Sequence, residues 1–179
     1  DAESTGLILL TSDGSIVNPL LRAGEKKVKE YHVMTEPCAT DAHILQLAAG
    51  IVITTKARKD GGFADVTAKT LPCTVQRICI DATTGTGTRA ALRFVLGEGR
   101  NRQIRRMCTA VGIEVTSLHR VGFVGVSLQG CENAGDWATL TEAEELTIGA
   151  RTGPTRNELR TPEERARRKA KKLAKKLLK

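Results

Sequence analysis

Apolar and polar positions along the chain fall mostly into short strand-like runs, interrupted by a few helical stretches. The run Gly6-Leu7-Ile8-Leu9-Leu10-Thr11 predicts a short buried strand, closed by the turn-former Ser12-Asp13-Gly14. Residues 15–21 predict a short helix with Pro19 near its first turn, where a missing N–H is tolerated, and Gly24 as its stop. Residues 27–34 alternate around Val28, Glu30, His32 and Met34 and predict a strand. Thr40 can N-cap a helix running to Ala49, with Gly50 just past its end. Strand patterns follow at 51–54, 63–70, 74–81 and 89–96, the last two separated by the turn-rich segment 83–88. Between Asn101 and Val111 the period changes: Ile104, Met107, Cys108 and Val111 stand at i, i+3, i+4 and i+7, and Gly112 ends the helix. Two more strands are expected at 114–119 and 121–128. Thr141, with Glu144 three residues on, opens a last helix of the body as a capping box. No internal repeat is present. Many strands among few helices predict an α+β domain with a mainly antiparallel mixed sheet and flanking helices.

Beyond residue 150 the pattern is different. Residues 151–160 read as a polar linker containing Gly153 and Pro154. Thr161-Pro162-Glu163-Glu164 then supplies an N-cap, a proline at the first helical position and a capping-box glutamate. Ala166, Ala170, Leu173, Ala174 and Leu177 form one narrow apolar stripe on this tail. The expected organisation is therefore a body over 1–150, a linker over 151–160 and a basic amphipathic helix over 161–179.

The formal charge of +8 suggests a polyanionic partner, yet the tail holds nine Lys/Arg against Glu163 and Glu164 and so carries +7 of it. Bulk charge therefore says little about the body, where any nucleic-acid surface must come from local clustering. No apolar run approaches the ~18 residues of a membrane span. With no signal-peptide pattern, the expectation is an intracellular protein with no membrane partner. The five cysteines are irregularly spaced and the three histidines lie far apart, so reduced thiols and no metal site are expected.

The densest chemical signal is Glu98-Gly99-Arg100-Asn101-Arg102-Gln103-Ile104-Arg105-Arg106-Met107. It places four arginines at a helix N-terminus, with Arg102 and Arg106 one turn apart. Phosphate is the natural partner, because guanidinium offers bidentate donors and the helix end adds its dipole. A solvated basic face with internal acidic partners is the competing interpretation. Only five aromatic residues occur, among them the single tyrosine Tyr31, which argues against a base-stacking platform.

Asp1-Ala2-Glu3-Ser4-Thr5-Gly6-Leu7 resembles the D-x-x-[ST]-x-G-L element of pseudouridine synthases of the RsuA-like family. Asp13-Gly14, Lys29-Glu30-Tyr31, the segment 98–107 and Leu118-His119-Arg120 followed by Val126-Ser127-Leu128 fall in that family's order. Residues 16–24 and the Met107-Cys108 pair look closest to the branch modifying large-subunit ribosomal RNA known as type F, one class of which also acts on a tRNA. The resemblance spans residues 1–148 and implies isomerisation of a flipped-out uridine to pseudouridine without metal or redox cofactor. It implies Asp1 as the catalytic carboxylate, Arg105 as its basic partner and Tyr31 as the residue packing on the base. Leu118 would line the base pocket. Arg100, Arg102, Arg106 and Arg120 would lie on the RNA side. The tail is outside the resemblance; its own charge suggests Lys169 and Lys172 as phosphate contacts. The partners implied are ribosomal RNA or a pre-ribosomal particle, and a tRNA; the tail's apolar stripe, independently of the resemblance, suggests ribosomal or assembly proteins. The compartment would be a bacterial cytoplasm or a eukaryotic organelle. The family's G-R-L before the aspartate, the first part of its catalytic domain and its N-terminal RNA-binding module do not occur in this chain. A catalytically silent RNA-binding assembly factor or ribosomal protein on the same fold is the alternative.

Overall fold

The computed structural model describes residues 2–21, 27–59, 62–81, 88–149, 161–163 and 167. Its elements are β1 (Ser4–Gly6), α1 (Val17–Leu21), β2 (Lys29–Glu36), α2 (Asp41–Ala48), β3 (Val52–Lys59) and β4 (Gly62–Lys69). β5 (Thr74–Asp81), β6 (Thr88–Leu96), α3 (Gln103–Ala110), β7 (Glu114–Phe123), β8 (Val126–Ser127) and α4 (Glu142–Ile148) complete them. The main sheet runs β1-β7-β2-β6-β5, with β8 on β7, and β3-β4 form a separate two-stranded ribbon. Every pair is antiparallel except β1 with β7. The α+β class is as the sequence predicts.

Side chains alternate across β2, so Tyr31 and Val33 face one layer while Glu30 and His32 face the other. On the first layer Val33, Leu92, Phe94, Leu96, Val115 and Leu118 form the core with Ile104, Met107 and Cys108 of α3, Leu47 of α2 and Ile53 of β3. Periodicity reads α3 correctly because Ile104, Met107 and Cys108 are buried here, with the polar Gln103 buried beside them. α2 begins where its cap predicts: Thr40 Oγ1 accepts from the His43 N–H, and the Thr40 N–H donates to His43 Nδ1. A smaller cluster joins Ile16 and Leu20 of α1 to Phe123, Val124, Val126 and Ile148. α4 carries the expected Thr141–Glu144 box.

Three expectations shift. The first strand is Ser4–Gly6, ahead of the apolar run; Leu7 and Leu9 pack on the smaller cluster, whereas Ile8 and Leu10 are exposed. The two strands expected at 114–128 are one ten-residue strand followed by the two-residue β8. β3 is twice as long as its apolar signal, because its pairing with β4 continues through polar residues to Lys59. Gly24, most of the 83–88 turn, the 151–160 linker and the tail other than 161–163 and 167 lie outside the described residues. Among the described residues no helix is long and apolar enough to cross a membrane, and no His/Cys/Asp/Glu group is placed to hold a metal.

Candidate active site

Gly6 docks the first strand. Its φ of +97° is a conformation glycine adopts freely, and a Cβ there would stand 2.3 Å from the Arg120 carbonyl oxygen. The close approach sets the register Ser4↔Leu118, Thr5↔His119, Gly6↔Arg120. The Leu7 N–H then donates to Arg120 O at 2.8 Å, and Arg120 Nε and Nη2 donate to Leu7 O at 2.8 and 2.6 Å. Thr5 Oγ1 and His119 Nδ1 lie 2.8 Å apart in the next row. Residues 4–7 are thus fixed to β7 by backbone and side chain together. Asp1 itself lies outside the described residues.

α3 reaches this strand from its N-terminal end. Arg105 Nη1 donates to Val115 O at 3.2 Å and Nη2 to Glu3 O at 3.4 Å, with the Glu3 carboxylate 3.6 Å away. The Arg105 side chain is only 13% exposed, so its charge sits in a recess at the head of β1. Arg102 is the N-cap residue of α3 and is held at a left-handed φ of 51°, from which Nη2 meets the Glu3 carboxylate at 3.5 Å. A left-handed non-glycine residue costs roughly 1–2 kcal/mol, and such conformations cluster where function requires them. Glu3 carries no signal in the sequence alone, since its partners lie about a hundred positions away.

Tyr31 is half-buried against the main core, and Leu118 is buried in the same cluster, on the layer that α3 covers. A register shift between Glu30 and Tyr31 bends β2 beside β7 at this point. Lys29 is buried beneath, with its ammonium 5.4 Å from the Phe123 ring; burial, and then the nearby Arg120, hold its pKa below the usual range. Glu30 on the opposite layer takes a bidentate pair from Arg93 at 2.6 and 2.9 Å, and these bonds hold its carboxyl below the usual range.

Arg106 Nη1 donates to Thr54 O of β3 at 2.8 Å. Arg100 turns away from Glu3: Nε meets Glu98, while Nη1 and Nη2 donate to Ala68 O and Lys69 O of β4. A groove of about 510 Å³ opens between β3 and α3, lined by Val52, Ile53, Thr54, Arg102, Arg105 and Arg106 among others. The structure therefore brings Arg102, Arg105, Arg106, Tyr31 and Leu118 to one layer of the sheet. Arg120 lies at the lower end of β1, and Lys169 and Lys172 fall outside the described residues. Such a place can bind polyanion by guanidinium and hold a carboxylate in its charged state.

A family model described as RNA pseudouridylate synthase matches residues 1–110. The dual-specificity RNA pseudouridine synthase RluF of Salmonella typhi is 37% identical over 148 residues, covering 83% of this chain and 44% of that protein. RluF of Escherichia coli (strain K12) is 36% identical, covering 83% of this chain and 43% of its own length. Ribosomal large subunit pseudouridine synthase B of Yersinia pestis is 30% identical over 78% of this chain and 39% of that protein. The chain thus spans less than half the length of these curated relatives. A crystal structure of a pseudouridylate synthase superposes with a TM-score of 0.64 at 24% identity, over 83% of this chain and 56% of that one, and so shares the fold. With 110 of its 179 residues matched by the family model, the chain belongs to the RNA pseudouridylate synthase family.

Proposed function

We propose that this chain provides the catalytic portion of an enzyme that isomerises a uridine of large-subunit ribosomal RNA to pseudouridine. Asp1 is the carboxylate that acts at the glycosidic bond, Arg105 keeps it ionised, and Tyr31 packs on the flipped base beside Leu118. Arg102, Arg106 and Arg120 are the residues of the body on the RNA side. Lys169 and Lys172 extend that contact through the tail, whose apolar stripe offers a seat for an assembly protein. In the reaction the bond from ribose to N1 breaks, the base turns, C5 bonds to the same ribose carbon and gives up its proton, and N1 takes up a proton. No atom is gained or lost.

The observation that carries this reading is the recessed Arg105 guanidinium, bonded to the backbone of Glu3 two positions from Asp1. A cation buried to 13% exposure at that place has chemical use if a carboxylate works beside it. The test maps pseudouridine across ribosomal RNA, with and without the full-length protein and with its Asp1→Asn form. One large-subunit uridine should lose its modification in both the deletion and the variant. A deletion that impairs ribosome assembly yet leaves every pseudouridine in place would replace the enzyme with an RNA-binding scaffold.

A further inference from the structure

The β3–β4 ribbon pairs eight residues on each side but, among the described residues, belongs to no larger sheet. A lone two-stranded ribbon is marginal in water, so what holds it decides how it stands. Its root is closed where Gly50 meets Thr70, by Thr70 N–H to Ile51 O and Ile51 N–H to Thr70 Oγ1. Above the root both strands are held from the N-terminal end of α3: β3 by Arg106 at Thr54 O, and β4 by Arg100 at Ala68 O and Lys69 O.

The β4 side is anchored through a buried carboxylate. Glu98, 8% exposed, accepts from Leu71 N–H at 2.8 Å, Gln103 Nε2 at 3.0 Å and Arg100 Nε at 3.1 Å. Gln103, 4% exposed, returns its Oε1 to the Arg100 N–H at 2.9 Å. A buried charge with its donors supplied in this way is costly to disturb. The groove beside it has one wall on β3 and the other on α3. The distance between those walls follows from how the ribbon is latched.

We infer that Glu98, Arg100 and Gln103 are positioning residues: they latch the β3–β4 ribbon to the helix that carries Arg102 and Arg105. The latch sets the width of the arginine groove, and with it the placement of the RNA strand relative to the reacting base. The inference rests on the RNA reading proposed above. It assigns to Arg100 an action through the ribbon, where a phosphate contact would be the simpler expectation from charge.

Three variants of the full-length protein separate these, assayed for pseudouridine formation on a ribosomal RNA fragment. Glu98→Gln keeps an oxygen for the Leu71 N–H but weakens the tie to Arg100. The latch predicts about a tenfold higher KM, a kcat changed less than threefold and faster hydrogen exchange in residues 52–69. Charge alone predicts tighter RNA binding for the same variant, because it removes a negative charge; that result would overturn the latch. Arg100→Ala should raise KM without changing its salt slope, and Arg100→Lys should fail to rescue it, because an ammonium cannot reach Glu98 and two carbonyls at once. Rescue by lysine, or a slope reduced by about 0.7–0.9, would make Arg100 a phosphate contact instead. A wild-type protein that forms no pseudouridine would sink the RNA reading. Hydrogen exchange in Glu98→Gln would then still decide the latch: acceleration across 52–69 supports it, and no change overturns it.

Discussion

Gly6→Ala perturbs the docking of the first strand and nothing else of comparable size. The new Cβ would stand 2.3 Å from Arg120 O, 2.7 Å from its nitrogen and 2.9 Å from its carbonyl carbon. Ordinary contact begins near 3.4 Å, so β1 has to retreat by about 1 Å. A φ of +97° adds a backbone cost of about 1–3 kcal/mol for any L side chain. The retreat also gives up the Leu7 N–H to Arg120 O bond, about 1 kcal/mol. The sum, roughly 2–4 kcal/mol, falls on a strand held over three residue pairs. The main core contains no residue of β1 and should stay folded. Displacing a reacting group by about 1 Å can cost about 100-fold in rate, and kcat/KM for pseudouridine formation should fall by that order. Gly112→Ala is the control: its φ is +82°, but among the described residues no atom lies within 4 Å of the added Cβ. It should cost about 1 kcal/mol in stability and leave kcat/KM near wild type. If Gly6→Ala turned over within threefold of wild type, the docking of β1 on Arg120 could not be what places the segment proposed to carry the catalytic carboxylate.

Phe94 is fully buried at the centre of the sheet, so Phe94→Ala should lower unfolding stability by about 3–5 kcal/mol in urea titrations; a loss under 1 kcal/mol would mean that the core is not organised around it. Burial, with His119 and Arg93 adding and Glu30 opposing, holds His32 below its usual pKa, so its neutral form is favoured in the folded state. That contribution is present above the unfolded imidazole range and lost as pH falls, so the urea midpoint should drop between about pH 7 and about pH 5. His32→Gln should flatten that segment; an unchanged slope would assign it to another group. Burial pushes the Cys108 thiol up to about 12 and the Cys73 thiol up to about 11, whereas Cys38 and Cys79 are exposed. Maleimide at about pH 8 should therefore label Cys38 and Cys79 in the native protein and Cys108 only after denaturation, as read by peptide mass spectrometry.

What was legible in the sequence is what local chemistry decides. α3 appears in the spacing of Ile104, Met107 and Cys108, and the helix starts appear in Thr40 and Thr141. The first strand was misplaced because its position depends on β7, more than a hundred residues away, and on the single contact that Gly6 permits. Leu7 to Leu10 look like a buried strand, yet only alternate residues find an apolar partner. β7 reads as two strands around Arg120 because a polar residue stands mid-run; its guanidinium is tied to Leu7 O. The arginine run announced a polyanion site, but its division was hidden. Arg102 and Arg105 turn to Glu3, while Arg100 and Arg106 turn to carbonyls of the ribbon, and none of those partners is near in sequence.

The sheet order has a consequence for the time at which this protein becomes competent during synthesis. β1 precedes the other elements in the chain, and among the described residues the strand it pairs with is β7, which also supplies one neighbour of β2. A ribosome adding about 5–20 residues per second needs several seconds between the two. Throughout that interval β1 has no template, and Arg105 has no Val115 carbonyl to settle against until β7 follows α3. The docked geometry at the head of β1 can form only once the chain has been read past residue 120. This face is thereby kept from assembling until the main sheet can close.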